Sequence, residues 1–136
     1  MRIIVFCFII LIAACTGPKQ TINTPNPLDG DWVPQRQEIG GRALPPAAFA
    51  GQLLTMHDSS YTLVAESIDK GVARINGNKM DIYGREGVNK GKHFSALYQL
   101  LNGELTICYN LAGTGYPDSL STRGKPLYFL SVFRKK

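Results

Sequence analysis

The chain predicts an all-β fold, an eight-stranded up-and-down antiparallel barrel. Three observations lead there. From about residue 28, eight runs rich in β-branched and aromatic residues follow one another. Several links between them are tight turns, which makes sequential runs antiparallel neighbours. No amphipathic helical period is sustained beyond one turn. At 136 residues the chain has length for one domain, which excludes a large two-domain cofactor enzyme. With 44% hydrophobic and 18% charged residues, it is a globular rather than a disordered composition.

The expected strands are approximately 31–39, 52–57, 60–67, 71–76, 79–84, 93–101, 104–111 and 126–134. Between the first two, residues 44–50 (LPPAAFA) make a single helical turn, with the prolines at its start. Asn102-Gly103 is a strong hairpin signal, because a type I′ turn needs positive φ at both central positions. Gly77-Asn78 and Asp69-Lys70-Gly71 are read as further turns. Eight antiparallel strands that close on themselves leave no sticky sheet edge. They also enclose an interior wide enough for side chains or one small ligand. A two-sheet sandwich is the rival, but it needs longer crossovers than these hairpins provide.

Two registers follow. With Asn102-Gly103 as the loop, Leu101 faces Glu104, Leu100 faces Leu105, Tyr98 faces Ile107, Ala96 faces Tyr109 and Phe94 faces Leu111. One face of this hairpin is wholly apolar and the other is mixed, so Phe94, Tyr98, Ile107 and Tyr109 belong to the core face. With Gly77-Asn78 as the loop, Arg74 sits opposite Asp81, Ile75 meets Met80 and Ala73 meets Ile82. The alternative loop would oppose Arg74 to Lys79. The charge pairing favours the first by a few tenths to about 1 kcal/mol.

The N-terminus is of another kind. Met1-Arg2 precedes twelve uncharged residues, Ile3 to Ala14, and then Cys15. This apolar stretch is short for a transmembrane helix and has the form of a secretory signal. Its end, Ile12-Ala13-Ala14-Cys15, resembles the lipobox of bacterial lipoproteins. The resemblance implies a signal peptide over 1–14, cleavage before Cys15, and acylation of Cys15 by diacylglyceryl and further chains such as palmitate. Two or three chains would hold the protein firmly to a bilayer. Thr16, which is not acidic, implies by the same resemblance the outer membrane, facing the periplasm. Residues 15–27, with prolines 18, 25 and 27, form the expected tether. Residues 28–136 form the barrel domain.

On that resemblance Cys7 lies in the signal and Cys15 would carry lipid. Cys108 is then the remaining thiol, so no intramolecular disulfide is expected. Cys108 reads as a small apolar filler. Loss of Arg2 leaves 14 basic against 10 acidic residues, a net charge of +4. The basic residues are scattered without aromatic interleaving, so no nucleic-acid partner is expected. His57 and His93 lack Cys, Asp or Glu at metal-ligand spacing and read as solvated strand-end residues. No metal, no cofactor and no catalytic residue are expected. Neither a nucleophile elbow, a P-loop nor a dinucleotide fingerprint occurs.

The domain ends carry a second resemblance. Leu28-Asp29-Gly30-Asp31-Trp32 near the start and Leu130 to Arg134 near the end look like the lipocalin (calycin-type) pattern. More narrowly, the chain is similar to small bacterial lipocalin-like domains of unassigned function. The matching segments are Gly41–Pro45, Gly91-Lys92, Tyr98-Gln99-Leu100, Leu105–Cys108 and Phe133–Lys135. The resemblance implies that Trp32 closes the barrel base and Arg134 stacks across it. Where the family often has Arg-Pro, this chain has Tyr116-Pro117, with Arg123 the candidate to stand in. Residues 112–125 form the longest link and are expected at a barrel mouth, offering Tyr116 and Arg123 to a ligand. The ligand-lining set is then Phe94, Tyr98, Ile107, Tyr109, Tyr116 and Arg123. The expected function is non-catalytic binding of a small apolar or amphipathic molecule by an envelope lipoprotein. The alternative is a protein-interaction or inhibitor module with a filled barrel, its partner unknown.

Overall fold

The computed structural model describes residue 17 and residues 24–136. The signal segment and Cys15 lie outside the described residues.

Nine strands make one sheet: β1 (Gly30–Ile39), β2 (Arg42–Ala43), β3 (Leu53–His57), β4 (Ser60–Val64), β5 (Ile68–Asn76), β6 (Lys79–Glu86), β7 (His93–Leu101), β8 (Glu104–Asn110) and β9 (Tyr128–Lys135). β2 is a two-residue appendage on the end of β1. The other eight run in chain order, each antiparallel to the next, and β9 pairs back onto β1. The barrel is therefore closed, all-β and up-and-down, consistent with a lipocalin-like calycin barrel. One 3₁₀ turn, Pro46–Ala48, is where the proline-led turn is expected. Among the described residues no helix is long and apolar enough to cross a membrane.

Both derived registers are present. Leu101 pairs with Glu104, Leu100 with Leu105, Tyr98 with Ile107 and Ala96 with Tyr109. Asn102 and Gly103 have φ of 52° and 74°, as a type I′ turn requires. In the second hairpin Arg74 pairs with Asp81, Ile75 with Met80 and Ala73 with Ile82. Phe94 does not pair with Leu111. The ladder ends at Ser95 and Asn110, and the Leu111 amide donates instead to the Leu127 carbonyl.

One predicted turn is a strand. Asp69-Lys70-Gly71 lies inside β5, and the chain reverses at residues 65–67. Gly71 is needed for space rather than for turning. A Cβ there would stand 2.0 Å from the Tyr83 carbonyl oxygen and 2.7 Å from the Tyr61 ring. The missing side chain lets Tyr61 lie across the strand beside a bulge between Lys70 and Gly71.

The connections divide between two ends. Hairpins 58–59, 77–78 and 102–103 lie at the floor, with the start of β1. Segments 40–52, 65–67 and 87–92 lie at the mouth, and 111–127 leaves β8 and rejoins β9 at that same end. At the floor Trp32 is 1% exposed and its Nε1 donates to the Leu28 carbonyl at 2.8 Å. Leu28 is buried in the same cluster, with Tyr98 and Leu100 packed against it. The fold reaches slightly upstream of residue 28. Asn26 bonds the Leu28 amide and the Asp58 carbonyl.

Arg134 is not over the indole. Strand alternation turns Phe133 and Lys135 to the inner side and Arg134 outward, where its guanidinium is 3.7 Å from Glu104. The cation above Trp32 is Lys135, with Nζ 5.2 Å from the ring centroid. Replacing Trp32 by Ala should cost about 3–5 kcal/mol, and Arg134→Ala less than about 1 kcal/mol because its pair is solvated. Lys135→Ala should cost about 0.5–1 kcal/mol. Denaturant midpoints check the ranking, and an Arg134→Ala loss equal to that of Trp32→Ala would contradict this floor.

Candidate ligand cavity

Inside the barrel a cavity of about 270 Å³ opens toward the mouth. Its walls are apolar, with Leu54, Met56, Met80, Ile82, Phe94 and Phe133 among them. They line it because odd and even positions alternate between core and outer surface along each strand. β1 keeps its inner positions only through a register shift between Pro34 and Arg36. Before the shift Trp32 and Pro34 are buried, and after it Gln37 is. An unbroken strand would have turned Gln37 outward.

Polar groups gather in two places on the wall. On one side Gln37, 5% exposed, donates through Nε2 to Gln52 Oε1 at 2.8 Å and to Ser131 Oγ at 3.3 Å. Gln52 in turn donates to the Ala48 carbonyl at 3.3 Å, which ties the 3₁₀ turn to the barrel. On the other side stands Asp69, 6% exposed. Its Oδ1 accepts the Asn89 backbone amide at 3.1 Å and its Oδ2 accepts Asn89 Nδ2 at 3.3 Å. Tyr61 and Tyr109 add phenol groups to the lining. Burial, and then the negative charge of Asp69, push the Tyr61 hydroxyl above its ordinary value of 10.0. Burial is the main cause of a larger upward shift at Tyr109. Both phenols stay protonated at neutral pH and are available as donors.

The segment 87–92 folds over this side of the mouth. A Cβ on Gly84 would stand 1.9 Å from the Asn89 carbonyl oxygen, so only glycine lets the segment come so close. The Gly84 amide donates to the Lys92 carbonyl, and the Gly91 amide to the Gly84 carbonyl.

Of the expected lining residues, Phe94, Ile107 and Tyr109 line the cavity. Tyr98 lies at the other end, beside a shallow hollow it shares with Leu28 and Gly77. Tyr116 and Arg123 are outside the barrel. The segment 111–127 does not line the mouth as expected but lies over the outer surface of β8 and β9. There Leu120 and Tyr128 pack on Cys108, Leu130 and Val132. Thr122, fully buried, donates to Glu38 Oε1 at 2.9 Å and accepts the Gly41 amide at 3.0 Å. The mixed outer face of β8 thus has an apolar cover of its own, and this is why the chain spends a long link there. Burial and the charges of Glu38 and Asp118 push the Cys108 thiol up to about 11.

Sequence reading also missed Asp69, taken for a turn residue, and a cluster on the outer face. Asp81 accepts the Tyr116 hydroxyl at 2.5 Å and His93 Nε2 lies 2.8 Å from its other oxygen. Tyr83 stacks on His93 with centroids 4.5 Å apart, and Lys79 Nζ stands 4.7 Å over the Tyr116 ring. His57, by contrast, is a largely exposed strand-end residue, with its carboxylate neighbours at 3.6 Å or more. The β6–β7 register, which no tight turn in the sequence fixes, pairs Tyr83 with His93 and so sets Asp81 diagonally opposite the histidine.

No family model, no curated protein and no solved structure matches the chain. The class is therefore defined by the fold and the cavity alone: a closed eight-stranded β-barrel with a small, mainly apolar chamber open at one end.

The outer cluster generates a pH prediction. Burial works to raise the Asp81 carboxyl, but hydrogen bonds from Tyr116 and His93 and the charge of His93 outweigh it, so it lies below its ordinary 3.8. A depressed folded value adds stability above the unfolded one, and that gain is lost as pH falls through the folded one. Asp81→Asn should therefore melt below the wild type at about pH 5, and the gap should narrow at about pH 2.5. Calorimetry at both values checks this, and an unchanged gap in acid would contradict it.

Proposed function

We propose that this chain is a lipid-anchored envelope protein whose barrel binds a small amphipathic molecule without catalysis. The cavity carries the reading. Binding chambers are concave and mostly apolar, with a few convergent polar groups that orient the occupant. Here apolar walls meet Gln37, Ser131, Asp69 and two phenols in one enclosed space. At roughly 30 Å³ per water-sized group, the volume suits an occupant of about nine non-hydrogen atoms. That is a short alkyl chain or a single-ring compound, smaller than a long-chain lipid. Several exposed apolar side chains (Ile68, Val88, Leu111 and Leu127) belong to the mouth end, where an amphipathic ligand would enter. An open chamber weighs against the rival in which a filled barrel serves only as a protein-interaction or inhibitor module.

The anchor rests on the lipobox-like run ending in Cys15 and on the proline-bearing tether after it. Acylated Cys15 would hold the barrel near a bilayer, at the outer membrane on the periplasmic side by the sorting rule for Thr16. The lipocalin likeness, carried by Trp32 and the basic C-terminal strand, supports the same carrier role.

Two experiments test the two halves. Native mass spectrometry and calorimetry with 1-octanol should detect one bound molecule per chain. Ala73→Phe, which grows a ring into the chamber, should weaken that binding at least about tenfold, equivalent to roughly 1.4 kcal/mol. An undiminished affinity would remove the barrel interior as the site. For the anchor, Cys15→Ser should move the protein from the membrane to the soluble fraction, and unchanged fractionation would refute acylation.

A further inference from the structure

The chamber contains one charge, and it has no counter-charge. Asp69 points inward from β5, in line with the buried positions Gly71 and Ala73. No lysine, arginine or histidine nitrogen among the described residues lies within 4 Å of its carboxylate. Lys70, its neighbour in sequence, points outward to Glu86. Lys92 reaches only the far side of Asn89, 3.4 Å from Asn89 Oδ1.

Hydrogen bonding is also incomplete. An ionised carboxylate has about four acceptor sites. Asp69 uses two, both from neutral amide groups of Asn89, and at 3.1 and 3.3 Å they lie at the long end of the ordinary N–H···O range. A buried carboxylate so weakly compensated is costly, and a cation that arrived at it would recover much of that cost. The neighbouring groups suit a cation. Tyr61 presents a neutral phenol, and Leu54, Met80, Ile82 and Phe94 form an apolar bed beyond it.

We propose that the chamber selects a small primary amine in its protonated form, its ammonium group on Asp69 and its alkyl or aryl body among the apolar walls. This rests on the barrel being a binding chamber and adds the class of the ligand. The competing role for Asp69 is purely structural, a clamp that holds Asn89 and segment 87–92 over the mouth.

Octylammonium, 1-octanol and octanoate share an alkyl chain that suits the chamber and differ at the head group. Calorimetry on the full chain at neutral pH and low salt should rank them in that order. Octylammonium should bind at least about tenfold more tightly than 1-octanol, the ratio equivalent to roughly 1.4 kcal/mol. Octanoate should be weakest because its charge meets that of Asp69. In Asp69→Asn the amine preference should vanish while 1-octanol still binds. Equal binding of amine and alcohol to the wild type, or a preference that survives Asp69→Asn, overturns the proposal and leaves the chamber reading intact. Failure of all three compounds to bind the wild type removes both. If Asp69→Asn does not fold, the wild-type order decides alone.

Discussion

The return of β9 onto β1 is the constraint on which the rest of the molecule depends. An open eight-stranded sheet has two unpaired edges and no inside. Once the last strand pairs with the first, every inward side chain faces the same enclosed space. The floor is built at this seam. Trp32 and Lys135 are opposite one another across it, and Phe133 lies next to them. The bulge after Pro34 is on the same seam. It turns β1 by one position, so the floor end contributes an indole and the mouth end an amide from a single strand.

A second constraint acts at the mouth. Close backbone approaches at Gly71 and Gly84 make room for the Tyr61 ring in the chamber and for segment 87–92 beside its opening. Both glycines sit within strands, at negative φ, so their value is the absence of a side chain rather than an unusual conformation. Asn89 is the hinge point of this arrangement. Its backbone and side chain hold Asp69, and its carbonyl lies against Gly84. The chamber is consequently asymmetric, with neutral amide and hydroxyl groups on one wall and a carboxylate on the other.

Much of this fold was legible in the sequence. Period-two patterning located the strands, the Asn102-Gly103 turn set one register, and the pairing of Arg74 with Asp81 set the other. The core face of β7 and β8 followed from the same logic. What could not be read depended on contacts distant along the chain. Asp69-Lys70-Gly71 has turn composition, but its glycine serves the ring of Tyr61 from another strand. Tyr116 and Arg123 sit in a segment of loop composition, and nothing local says that it folds onto the outside of β8 and β9. The basic residue at the floor was misassigned by one position, and in a strand one position exchanges inner for outer face. Of the candidate site, Phe94, Ile107 and Tyr109 were accessible to register reasoning, whereas Asp69 and Gln37 were not.

The cover formed by residues 111–127 has a consequence for chemistry at the one sulfhydryl of the barrel. Cys108 is fully enclosed beneath it and strongly favours its neutral form. Alkylating or oxidising reagents attack the thiolate, and need access to it. As long as this cover is down, the barrel itself offers no reactive sulfur to a second molecule. The rate at which a small maleimide modifies Cys108 therefore becomes a clock for the cover, registering how often that patch of the exterior lifts away from the cylinder.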